Sequence, residues 1–97
     1  MESLNKEIIL NYLKEHKADF TKKYNLNKIG LFGSYVNNSA TKDSDIDIIV
    51  DMPPSFKNYY ELKNILEKHF NKKVDLGLSN SIRNFIKKRI QKDIIYV

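Results

Sequence analysis

Four aspartates, Asp43, Asp45, Asp47 and Asp51, fall within nine residues of a chain that is otherwise basic. If Asp45 to Val50 is a strand, residues two apart share one face with alpha carbons about 6.6–7 Å apart, so the Asp45 and Asp47 carboxylates converge. Ile46 and Ile48 then turn the other way, into a core. Two carboxylates aimed at one point repel each other and raise at least one proton affinity unless a cation lies between them. Hard oxygen donors of this kind suit Mg²⁺, which takes one or two carboxylates together with phosphate oxygens and water. The solvent side of an amphipathic edge strand, guarded by its charges, would give the same spacing without a metal. A calcium loop counted from Asp43 would not: Ile48 stands where Gly is needed and Pro54 where a bidentate Glu is needed.

Two further features bear on that pair. Gly33-Ser34 follows the apolar run Lys28-Ile29-Gly30-Leu31-Phe32. A glycine there lets backbone amides approach a ligand closely, and a following helical turn would present its first N–H groups to phosphate, with the Ser34 hydroxyl beside them. An ordinary strand-to-helix turn with a serine cap reads the same way. The glycine spacing is neither that of a Walker loop nor that of the dinucleotide fingerprint. The third acid, Asp75, is expected near the middle of the sheet, flanked by Val74 and Leu76. If its strand lies beside that of Asp45 and Asp47, the three carboxylates share a face. That arrangement fits two-metal phosphoryl or nucleotidyl transfer, where ions about 3.5–4 Å apart serve the attacking and leaving oxygens.

The elements that must position these groups can be read from spacing. Ile8, Ile9, Tyr12 and Leu13 make one stripe of a first helix, with Ser3 as its N-cap. Phe20 and Tyr24 read as a second short helix after a break near Lys17, stopped by Asn25-Leu26-Asn27. Lys28 to Phe32 is a buried strand, Ser34 to Asn38 about one helical turn capped by Ser34, and Ser39 to Ser44 a polar loop. Beyond the strand at Asp45 to Val50, Pro53-Pro54 stop pairing, and Tyr59 or Tyr60, Leu62, Ile65, Leu66, His69 and Phe70 keep helical spacing. Lys73 to Leu76 is a third strand ended by Gly77. Asn80 or Ser81 caps a further helix bearing Ile82, Phe85, Ile86 and Ile90, and Ile94 to Val97 is extended. The order of elements predicts a small α+β domain, α/β-like in sequence order, with one mixed sheet of three to four strands flanked by helices.

Ninety-seven residues make a single domain, residues 1–97, and 41% hydrophobic residues supply one core. The absence of cysteine excludes disulfides, thiolate zinc sites and cysteine nucleophiles and suits a reducing compartment. No apolar run approaches the roughly 20 residues of a membrane helix, and the first residues lack the layout of a secretory signal, so a cytoplasmic protein without a membrane partner is expected. Lys and Arg number 17 against 12 Asp and Glu, a net charge of +5. This surplus, and the basic run Arg83, Lys87, Lys88, Arg89 and Lys92, are read as solvated surface, and direct nucleic-acid binding is not expected. His16 and His69 stand alone and suggest no metal site.

The run from Gly33-Ser34 through Asp43-Ser44-Asp45-Ile46-Asp47-Ile48-Ile49-Val50, with the later Val74-Asp75-Leu76, resembles the signature of the minimal nucleotidyltransferase (MNT) domains, relatives of the DNA polymerase beta palm. The likeness extends over essentially the whole chain. It implies transfer of a nucleoside monophosphate, usually AMP from ATP, onto an acceptor hydroxyl with release of pyrophosphate. Gly33 and Ser34 would hold the nucleoside triphosphate. Asp45 and Asp47 would bind Mg²⁺, and Asp75 would complete a site for two ions and help to deprotonate the acceptor. Asn37-Asn38 stands where the family usually has Arg-Gly, which removes a positive charge that Lys42 could replace. MNT domains of this size are often encoded beside a small HEPN protein, and the resemblance implies an antitoxin that adenylylates such a toxin, with the two assembling as a hetero-oligomer. A catalytically weak module that neutralises its partner by contact, and a nucleotidyltransferase of small molecules, are the alternatives.

Overall fold

The structure is a computed structural model that describes residues 4–37, 39–78 and 94–97. The chain runs α1 (Lys6–Tyr24), β1 (Lys28–Phe32), a 3₁₀ turn (Gly33–Tyr35), β2 (Ile46–Asp51), α2 (Phe56–Phe70), β3 (Val74–Leu78) and β4 (Ile95–Tyr96). The expected helix over Ile82 to Ile90 lies outside the described residues, and the first helix is capped by Asn5, not by the expected Ser3.

The first helix is one piece of 19 residues, with no break at Lys17. Its buried positions are Ile9, Leu13, Phe20 and Tyr24. The apolar gap between Leu13 and Phe20 is filled by His16, half-buried, with its ring 4.3 Å from that of Tyr12 and 6.1 Å from that of Phe20. An imidazole used as a packing surface carries the stripe through a stretch that looks polar in sequence. The start is set by Asn5, whose side chain accepts from the Ile8 N–H at 3.0 Å, and the end by Asn25 in the left-handed region at φ 58°. The second helix begins earlier than its apolar spacing indicates, at Phe56, because Ser55 caps it through the Asn58 N–H. It closes on Asn71, again left-handed.

Four strands form one sheet in the order β3-β2-β1-β4. β1 is antiparallel to both β2 and β4, and β2 is parallel to β3, joined by α2 as the crossover that parallel pairing requires. One face carries Ile29, Leu31, Ile46, Ile48, Val50, Val74 and Leu76 into the core, where they meet Ile9 and Leu13 of α1 and Leu62 and Leu66 of α2. Alternation along β2 and β3 then sends Asp47 and Asp75 to the opposite face.

Two expectations about this sheet are corrected. β3 continues through Gly77 to Leu78, because the pairing partners Ile49 and Val50 extend the ladder past the glycine. β3 is also an edge strand, so Asp75 is exposed at the margin of the sheet rather than near its middle. β2, by contrast, is internal, which removes the edge-strand explanation of its charges. The free edge of β3 is covered by α2: Glu67 Oε2 accepts from the Val74 N–H at 2.9 Å, and the Tyr59 hydroxyl donates to the Leu76 carbonyl at 2.7 Å.

Candidate active site

Asp47 is the centre of the site. It pairs across the sheet with Phe32, the last residue of β1, on one side and with Asp75 on the other. Neighbours in register on parallel strands present their side chains to the same face, so the Asp47–Asp75 pairing needs no further contact to hold the two carboxylates side by side. Gly33, immediately after β1, has φ +81° and sits directly against the Asp47 side chain. A Cβ at Gly33 would stand 3.0 Å from Asp47 Cγ and 3.2 Å from its Cβ, and closer still to Oδ2. Both backbone conformation and space therefore demand glycine here.

Ser34 is half-buried inside the 3₁₀ turn, not at its cap, contrary to expectation; Phe32 occupies the cap position and makes no side-chain cap bond. The turn is only Gly33–Tyr35, closed by the Val36 and Asn37 N–H groups on the Gly33 carbonyl at 3.0 and 3.2 Å. Tyr35 is buried and anchors it to the core. The Ser34 carbonyl accepts from the Ser39 N–H at 3.0 Å, tying the turn to the loop that follows.

Asp45 lies one residue before β2 and so is positioned by the preceding loop, not by the strand ladder. That loop is a hydrogen-bonded turn: the Thr41 N–H donates to Ser44 Oγ at 2.9 Å, the Ser44 N–H returns to the Thr41 carbonyl at 3.1 Å, and the Asp43 N–H reaches Thr41 Oγ1 at 3.3 Å. Thr41 and Ser44 are the contributors that sequence reasoning left in an unstructured loop. Their signal is the Thr-x-x-Ser spacing, which lets each residue bond the other's backbone.

Electrostatics agree with the geometry. The Asp47 carboxyl is raised from 3.8 to about 6, first by burial, then by the negative charge of Asp75, then by that of Asp45. Burial and the two neighbouring carboxylates therefore both disfavour charge on Asp47. Hard oxygen donors with an unmet negative charge fit a divalent cation. Among the described residues no three acids or histidines close into a ready-made ion cage. An open, one-sided set of carboxylates is the arrangement Mg²⁺ uses when substrate phosphates and water complete its shell.

Among the described residues the acids form a shelf on the sheet. Two concave pockets among the described residues are lined by other groups: one of about 320 Å³ beside Phe56, Tyr59, Tyr60 and Leu78, the other of about 400 Å³ beneath the Ala40–Lys42 loop. His16 and His69 flank Tyr12 in an aromatic stack, with ring centroids 4.3 and 3.8 Å from it, and serve packing between the helices. Lys42 is exposed on the loop, and its carbonyl accepts from Lys72 Nζ.

Comparison with known proteins fits this geometry. Residues 13–97 match the sequence profile of the family described as nucleotidyltransferase domain. The chain is 45% identical over 94 residues to a Methanocaldococcus jannaschii protein named as a candidate protein adenylyltransferase, covering 92% of this chain and 94% of the relative. It is 36% identical over 99 residues, the full length of both, to the protein adenylyltransferase MntA of Thermococcus cleftensis. In fold it is similar to the structure of a candidate minimal nucleotidyltransferase, with a TM-score of 0.79 at 18% identity and 98% of each chain covered. It is also similar to a chain of a Shewanella oneidensis complex of tri-AMPylated HEPN toxin with MNT antitoxin, with a TM-score of 0.67 at 24% identity, covering 93% of this chain and 69% of that one. The acid shelf against a glycine turn and the match over most of its length lead to one assignment: the chain belongs to the nucleotidyltransferase domain family.

Proposed function

We propose that this protein is a Mg²⁺-dependent nucleotidyltransferase that moves AMP from ATP onto a hydroxyl of a protein partner, a HEPN toxin, and acts as the antitoxin of that pair. The observation that carries the reading is the in-register pairing of Asp47 with Asp75 beside Gly33. The names of the relatives support a protein as acceptor, and the toxin–antitoxin complexes of similar fold support the class of partner.

In this mechanism Asp45, Asp47 and Asp75 would hold the metal, two ions in all, and the Gly33-Ser34 turn would receive the triphosphate through its amides and the Ser34 hydroxyl. Bound there, Mg²⁺ neutralises phosphate charge and lowers the proton affinity of the attacking hydroxyl. The acceptor oxygen forms a bond to the α-phosphorus, the bond from that phosphorus to the bridging oxygen breaks, and pyrophosphate leaves with the bonding electrons. The hydroxyl proton passes to Asp75, whose exposed place at the sheet margin leaves room for a large acceptor. No covalent enzyme intermediate is required, and the rate gain comes from positioning and fixed charge.

The experiment is incubation with α-labelled ATP, Mg²⁺ and the HEPN protein encoded nearby. Label is expected on the partner, and Asp45→Asn with Asp47→Asn is expected to cut transfer by at least about 100-fold. A second reading, neutralisation by contact alone, is favoured by Asn37-Asn38, which leaves no cation at the place where the family carries Arg. Toxin neutralised equally well by the double variant would establish that reading and sink the enzymatic one.

A further inference from the structure

We infer that Lys72 is a positioning residue that sets Asp45 against Asp75, an inference that rests on the proposed metal-dependent transfer. Asp45 stands outside the β2 ladder, at the exit of the Thr41–Ser44 turn, so its place depends on what holds that turn. The core holds its start, through Ala40 and the Ser39 N–H bond to the Ser34 carbonyl. Ala40 packs against the core, but Thr41 and Lys42 are exposed and line a cavity of about 400 Å³ together with Tyr35, Phe70 and Lys72. The contact made to the turn itself from the α2–β3 junction is that of Lys72, whose ammonium donates to the Lys42 carbonyl.

Lys72 is itself anchored at the other end. It follows the left-handed Asn71 that closes α2, its N–H donates to the Glu67 carbonyl at 3.3 Å, and the Glu67 carboxylate takes the Val74 N–H at 2.9 Å. The next residue, Lys73, gives its carbonyl to the Ile46 N–H at 3.0 Å. These bonds join the entry to β3, which carries Asp75, to the entry to β2, which carries Asp45 and Asp47. The Lys72 ammonium is the member of the set that reaches the turn itself. Lys72 touches no ligating carboxylate and acts at one remove, through the turn that leads into Asp45, and groups outside the ligand set tune a metal site by placing its ligands.

The test measures Mn²⁺ affinity of the full chain by electron paramagnetic resonance, without nucleotide, in the wild type, Lys72→Met and Lys72→Arg. Lys72→Met is expected to bind Mn²⁺ about ten-fold more weakly, and Lys72→Arg to keep the wild-type affinity. Melting in EDTA should be the same for all three, and Lys72→Gln replaces the Met variant if that one is too unstable to measure. In amide exchange, the Thr41 and Ser44 N–H groups should exchange about ten-fold faster in Lys72→Met, the loss of one charge-assisted bond. In the transfer assay the Mg²⁺ concentration for half-maximal rate should rise while kcat at saturating Mg²⁺ is retained. Wild-type Mn²⁺ binding with no weakening in Lys72→Met overturns this inference alone, as does equal weakening in Lys72→Arg. Absence of Mn²⁺ binding in the wild type overturns the metal-dependent reading and this inference together.

Discussion

At the scale of single residues, Asp47 carries the electrostatic cost of the acid cluster. Its carboxyl holds a proton up to about pH 6 in the folded protein, against 3.8 for the ordinary group, so between those values the folded state binds more protons than the unfolded one. Stability must then rise as pH falls through 6 toward 4, and the full penalty is present at neutral pH. The metal-free protein is expected to melt at a higher temperature at pH 5 than at pH 7, by scanning calorimetry, with the difference shrinking in Asp47→Asn. Mg²⁺ at pH 7 should recover part of the same gain, because a cation relieves the repulsion that the proton relieves. Asp47→Asn retaining the whole pH difference would assign it to other groups. That Asp47 turns away from the core was legible from strand periodicity, whereas the place of Asp45, outside the ladder, was not. The Gly33 contact was not, since it depends on where the end of β1 meets β2.

At the scale of elements, α2 does two jobs: it crosses from β2 to β3 and it blocks the free edge of β3 through Tyr59 and Glu67. An uncovered edge strand offers unpaired N–H and C=O groups to other chains. Tyr59→Phe together with Glu67→Ala should cost about 1–3 kcal/mol in urea unfolding through the two backbone groups left unpaired. The same variant should self-associate in light scattering at concentrations where the wild type is monodisperse. An unchanged unfolding midpoint would show that water satisfies both groups. Most elements could be read from sequence, and the misreadings have physical causes. His16 packs as an aromatic, so α1 does not break at Lys17. Gly77 is held in the ladder by Ile49, so β3 does not end there. Strand order is decided by contacts between distant residues, which is why Asp75 falls on an edge strand despite its apolar neighbours.

At the scale of the whole molecule, α1, α2 and the core they share lie on one side of the sheet, and Asp47 and Asp75 on the other. Among the described residues no helix is long and apolar enough to cross a membrane. Because the shelf is open, ligand binding should add to stability without rearranging the core. A non-hydrolysable ATP analogue with Mg²⁺ at about 100 times its dissociation constant should stabilise the protein by about 2.7 kcal/mol. Thermal-shift measurements should show this in the wild type and not in Asp45→Asn with Asp47→Asn. A shift of the same size in both would place the nucleotide away from the acids.

The parallel pairing of β2 with β3 also fixes when the site comes into being. Asp45 and Asp47 leave the ribosome more than twenty residues before Asp75, and nothing can hold the third carboxylate beside them until α2 has doubled back. A nascent chain halted before Val74 carries two-thirds of the acid set and no completed site. If the three acids form the proposed site, it is completed only when the α2 crossover closes, and partly made copies would hold no site that could spend nucleotide.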